Sequence, residues 1–171
     1  MIQLNQKFKT LLAFTLTVLM AFSVSAGQVG SNKFPDNPDQ NKTPGHLCEN
    51  PDSTRYPENI KYCERNVDTG LKNRIIAEYD KELGYGIRKM NRGDFKIDHF
   101  IPLSIGGSND IENLWPQHKS VYKFSDPLEL HVFELMQKGK IKQVEAIRVI
   151  KECKLNLDRC AELDEYLKKL Y

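Results

Sequence analysis

Apolar residues recur at helical spacing in several stretches of this chain, separated by turn-forming residues. Leu71, Ile75, Ile76 and Tyr79 form one stripe, predicting a helix over about 70–83 that Asp68 or Thr69 can cap and Gly84-Tyr85-Gly86 can end. Asp126-Pro127-Leu128-Glu129 reads as an N-cap, a first-turn proline and a capping-box acid. A second helix is therefore expected over 126–138, burying Leu128, Val132, Leu135 and Met136, with Gly139 as its stop. Val144, Ile147 and Ile150 predict a third over about 142–153, and a fourth closes the chain over about 158–170. Between the first two helices the rhythm changes. Residues 95–117, FKIDHFIPLSIGGSNDIENLWPQ, begin with a short apolar run that holds Asp98 and His99. They turn at Gly106-Gly107 and continue as a second extended piece carrying Asn113. On a strand, alternation sends Asp98 and His99 to opposite faces. Two extended pieces and then a helix make a β-β-α unit, so an α+β fold is expected.

The first 26 residues look like a leader and not part of the fold. Lys7 and Lys9 precede an apolar run at 11–24, and Val24-Ser25-Ala26 is a small-residue cleavage pattern. That run is shorter than the roughly 20 residues a spanning helix needs, so no stable membrane association is expected after cleavage. Removing 26 of the 171 residues leaves 145, enough for one domain. Residues 27–46, rich in Gly, Asn, Asp and Pro, are expected as a flexible lead-in to a single domain over 47–171. Both excess lysines lie in the leader, so the remainder carries 23 basic and 23 acidic residues. Net charge therefore says nothing about nucleic acid. Cys48, Cys63, Cys153 and Cys160 form an even set in an exported chain, which predicts two disulfides. Of three connectivities, Cys48–Cys63 with Cys153–Cys160 closes the shortest loops. Export to the periplasm or the medium is expected.

An Asp-His pair beside an apolar ladder, leading into a tight turn, suits a site that places a base next to a cation ligand. The segment D-H-x-I-P-L-x-x-G-G-x-N…N-L-W-P-Q, running from Asp98, resembles the HNH (His-Me finger, ββα-metal) endonucleases, and among them the exported bacterial type. Upstream, Arg55-Tyr56-Pro57 and the run at 62–67 are also similar to the region preceding that motif. The resemblance implies a ββα-metal core hairpin plus helix, surrounded by further helices. It implies metal-dependent hydrolysis of phosphodiester bonds in nucleic acid, DNA or RNA, without sequence specificity.

In that reading His99 is the general base, Asp98 holds a divalent cation, and Asn113 braces the loop presenting the histidine. The second metal ligand should come from the helix. Leu130 falls where relatives offer Asn, which leaves Glu129 or His131, with His118 a further candidate. One carboxylate, one further ligand and several waters suit Mg²⁺, with Mn²⁺ or Ca²⁺ as alternatives. Arg65, Lys119 and Lys123 are candidate phosphate contacts. Trp115 is expected in the core, and His46 in a structural role. The competing reading is a secreted, catalytically inactive binding module on a nuclease-derived scaffold.

Overall fold

The computed structural model describes residues 34–171; the expected leader lies outside them. The fold is α+β, with two small antiparallel two-stranded sheets and four helices among the described residues. Strand β1 (Ser53–Arg55) pairs with β2 (Ile60–Tyr62). Helix α1 (Thr69–Leu83) follows, capped by Asp68, whose carboxylate accepts from Leu71 N–H at 2.7 Å. Strand β3 (Phe95–His99) then pairs with β4 (Leu114–His118), with Asp98 opposite Trp115 and His99 opposite Leu114. Helices α2 (Lys119–Gln137), α3 (Gln143–Leu155) and α4 (Cys160–Lys168) complete the chain.

The apolar stripes bury as two clusters that meet at the β3–β4 hairpin. Ile75, Ile76 and Tyr79 of α1 pack with Phe95, Ile97, Phe100 and Trp115. Leu128, Val132 and Leu135 of α2 pack with Ala146, Val149 and Ile150 of α3 and Leu163 and Leu167 of α4. Burying an aliphatic side chain of this kind contributes about 1.5–3 kcal/mol. The hairpin is thus gripped on both sides, and its side chains are held rather than free to choose rotamers.

Three expectations are corrected. Helix α2 starts at Lys119, not Asp126, and Pro127 sits inside it. The ring of His118 caps the new start by accepting from Ser120 N–H. Val121 and Ser125 are buried, and the Ser125 hydroxyl accepts from buried Gln117 Nε2 at 3.1 Å. That anchoring outweighs the one backbone bond a proline removes, and the Lys123 carbonyl it strands lies on an exposed residue. In α3, Ile150 is buried and Ile147 packs partly buried against the core as expected, but Val144 is 74 % exposed; the buried apolar face is Ala146, Val149, Ile150 and Cys153. Those four follow i, i+3, i+4, i+7 spacing, which places Val144 on the opposite side.

The third correction concerns residues 34–46, which lie against the core. Phe34 stacks on the His118 ring with centroids 3.9 Å apart. Thr43 is fully buried, its hydroxyl donating to the Leu114 carbonyl and sharing a hydrogen bond with Tyr79. Pro and Asn density marks a lack of regular structure; it does not preclude packing once Tyr79 offers a partner.

Both disulfides form as the short loops favour, Cys48–Cys63 and Cys153–Cys160. A 15-residue loop of this sort contributes about 3 kcal/mol in the chain-entropy account. The pair points to an oxidising compartment. No helix among the described residues is long and apolar enough to cross a membrane.

Candidate active site

The alternation of β3 sorts Asp98 and His99 as expected, Asp98 toward the α2–α3 side and His99 toward the turn. The turn itself is built by Asn113, whose side chain is fully buried. Its carboxamide oxygen accepts from Ile101 N–H at 2.8 Å, and its nitrogen donates to the Ile101 and Ser108 carbonyls, each at 2.9 Å. The Asn113 carbonyl also accepts from Phe100 N–H at 2.7 Å. Three side-chain bonds and one backbone bond therefore lock the segment that follows His99. Gly107 allows the close approach: a Cβ there would lie 1.8 Å from the Ile101 carbonyl oxygen. The bracing role expected of Asn113 thus has matching geometry.

His99 is 3 % exposed, and its Nε2 lies 3.2 Å from Asn109 Oδ1. Asn109 donates its amide to the Glu64 carbonyl and accepts from Asn66 N–H through Oδ1. With that orientation His99 donates from Nε2 and keeps the lone pair on Nδ1. Burial pushes the imidazole down to about 4, helped by the Arg65 guanidinium and the Lys154 ammonium. The bond to Asn109 and the Asp98 charge act the other way and are outweighed. His99 is neutral at pH 7 and able to accept a proton.

The depression has a consequence for stability. Folded His99 holds fewer protons than the unfolded chain between its ordinary 6.5 and about 4. Stability is then complete above pH 6.5 and is lost as pH falls toward 4, by about 3 kcal/mol for a shift of this size. Urea titrations from pH 7 to pH 4 should show that slope in the native chain and a shallower one in His99→Gln.

On the other face of β3, the partner of Asp98 is Lys154, a fully buried side chain on the last turn of α3. Its ammonium donates to Asp98 Oδ2 at 2.8 Å and to the His99 carbonyl at 2.7 Å. It also lies 2.7 Å from Glu129 Oε1, an ion pair outside hydrogen-bonding angles. Lys96 Nζ approaches the second Asp98 oxygen at 3.6 Å while bridging to Asp126. Burial alone would raise the Asp98 carboxyl, but Lys154 and Lys96 together bring it below its usual range. Burial and the Asp98 charge raise Glu129, against the pull of Lys154. Burial would pull the Lys154 ammonium down, but the two carboxylates reverse this and hold it above its usual range.

The expected site residues thus separate into groups. Asp98, His99, Asn113 and Glu129 come together, and Arg65 reaches them by donating from Nη2 to the Ile97 carbonyl at 3.0 Å. His131 turns instead to Asp164, with its Nδ1 2.6 Å from that carboxylate. His118 caps α2, and Leu130 is 55 % exposed. Lys119 pairs with Asp94, and Lys123 lies over the Phe124 ring. Because Phe95 pairs with His118, Lys119 begins at the hairpin end away from His99, about 13 Å along the strand. His46 pairs with Asp110 as a surface contact.

Sequence reasoning assigns no role to Asn109, the asparagine of the G-G-x-N motif, and does not single out Lys154. Asn109 sits in an ordinary Ser-Asn-Asp turn. For Lys154 the one available signal is phase, since it falls four residues after buried Ile150.

The resemblance implies a divalent cation, and the donors present do not fit one. The two acids that do meet, Asp98 and Glu129, already hold an ammonium between them. A dication there would have to sit against that charge in a water-poor site. No family model matches the chain, and no curated protein or solved structure is detectably similar to it.

Proposed function

We propose that this chain is an exported endonuclease that hydrolyses phosphodiester bonds in nucleic acid on an HNH-like ββα core formed by β3, β4 and α2. The observation that carries the reading is His99: neutral at physiological pH, its loop braced by Asn113, with Arg65 beside it. His99 Nδ1 takes a proton from water, and the water oxygen attacks phosphorus as the ester P–O bond breaks. The leaving oxygen is protonated from solvent. The Arg65 guanidinium, otherwise exposed, binds the non-bridging phosphate oxygens and offsets charge developing there. Asn109 and Asn113 orient the histidine and its loop and take no part in the proton transfer. With no groove-reading helix or zinc-finger module apparent in the sequence, sequence specificity is not expected.

The test uses the oxidised mature protein with supercoiled plasmid and, separately, with RNA. Cleavage should fall by about 10²–10⁴ in His99→Ala. The acid limb of the rate should lie near pH 4, not near 6.5, because the base is active only when unprotonated and its pKa is depressed. No cleavage of either substrate by folded protein would remove the hydrolase reading.

One observation favours a second reading, nucleic-acid binding without cleavage. The carboxylates that would hold a catalytic cation are neutralised from within by Lys154. Retention of plasmid or RNA by inactive protein, lost on Arg65→Ala, would support it.

A further inference from the structure

We propose that the Lys154 ammonium is this chain's own cation, standing between Asp98 and Glu129 in place of a divalent metal, so that the folded protein takes up no dication there. This rests on reading Asp98 and Glu129 as part of the hydrolase site.

Three oxygens surround the ammonium nitrogen: Asp98 Oδ2 at 2.8 Å, the His99 carbonyl at 2.7 Å and Glu129 Oε1 at 2.7 Å. An ammonium has three donors and no acceptor; two of them are hydrogen-bonded here, to Asp98 and the His99 carbonyl, and the charge is also paired with Glu129. Two of the three oxygens come from the strand acid and the helix acid that the sequence offers to a metal. The third is the backbone carbonyl of His99 itself. Lys154 therefore ties the strand bearing His99 to α2 and α3, which is the mechanical task a bound cation would perform.

The side chain cannot leave easily. It is fully buried, and its neighbour Cys153 is bonded to Cys160 at the start of α4, which pins the backbone carrying it. The second Asp98 oxygen is attended by Lys96. A dication approaching Asp98 thus meets one ammonium in the site and another at its rim. Glu129 faces the same buried charge through its inner oxygen. Unlike a metal, a tethered ammonium cannot be chelated or diluted away, which suits a protein released into a medium of unknown cation content.

The experiment measures Mn²⁺ binding by paramagnetic water relaxation and the thermal midpoint with Mg²⁺, Mn²⁺ or EDTA, on the oxidised mature protein. The native chain should show no saturable Mn²⁺ binding and no shift of midpoint with any of the three. Lys154→Met should acquire a saturable Mn²⁺ site, with a midpoint that rises with Mn²⁺ concentration as binding to the folded state requires. That site should disappear again in Lys154→Met/Asp98→Asn. Saturable Mn²⁺ binding to the native chain that is lost in Asp98→Asn or Glu129→Gln would overturn the proposal. So would a folded Lys154→Met that binds none. If Lys154→Met fails to fold with or without cation, the native chain and its Asp98→Asn variant decide alone.

Cleavage is scored separately. Activity unaffected by EDTA supports both readings, and activity that requires a dication overturns the internal cation. Absence of cleavage removes the hydrolase while the Mn²⁺ result still stands or falls by itself.

Discussion

Lys154→Met should cost the folded protein about 3–5 kcal/mol, the range for removing one partner of a buried ion pair. Methionine fills nearly the same volume, so the loss reports charge and not a cavity. What remains is two carboxylates facing each other beside Trp115's strand, with Lys96 the nearest compensating charge. The His99 carbonyl also loses its partner, and an unmet buried acceptor adds to the cost. Against a total stability of about 5–15 kcal/mol, this is a large fraction. Urea denaturation at pH 7 should show a lower midpoint with an unchanged slope. Neutralising the acids as well, in Lys154→Met/Asp98→Asn/Glu129→Gln, should recover part of the loss. A single-variant cost below about 1 kcal/mol would mean that water reaches these carboxylates and that the cluster is not dry.

The second large effect is expected at the turn. In Gly107→Ala the new methyl would lie 1.8 Å from the Ile101 oxygen and 2.9 Å from Asn113 Nδ2, so backbone must move. It has nowhere to go, because Ile101 and Ser108 are both fastened to Asn113. Asn113→Ala removes the fastening itself and strands one buried N–H and two buried carbonyls, at about 1–3 kcal/mol for each unmet group. Each variant alone should approach the stability of the whole fold. The double variant should cost much less than the sum, because both act on one segment. Additive losses would show that Gly107 and Asn113 hold different structures. Amide exchange at Ile101 and Ser108 reads the same coupling without an activity assay.

Much of this molecule was legible before any coordinates. The stripes in α1 and α2 follow from 3.6-residue spacing, and Leu128, Val132, Leu135 and Met136, which the pattern names in α2, are all buried. Alternation along β3 placed Asp98 and His99 on opposite faces. The resemblance implied that Asn113 braces the loop, a role its hydrogen bonds match, and the two short loops favoured the disulfides that form. These are local matters, decided within a few residues or by one repeating period.

Where reading failed, the deciding partner lay far along the chain. The start of α2 moved to Lys119 because Gln117 and Ser125 bury together, and burial of the first turns outweighed a proline that local rules would place at an N-terminus. Residues 34–46 packed because the Tyr79 hydroxyl, some 36 residues later, donates to Thr43 Oγ1 while Thr43 donates to the Leu114 carbonyl. The phase of α3 was set by α2 and α4, which left Val144 in solvent. Lys154 is the clearest case. Along the chain it is one lysine among many, the basic residue of the last turn of α3 and 56 residues from Asp98. The sequence by itself marked four helices, the central hairpin and the opposite faces of Asp98 and His99. Only the tertiary structure decided that a buried ammonium meets the two acids, because an ion pair depends on three-dimensional distance and leaves no period in the sequence.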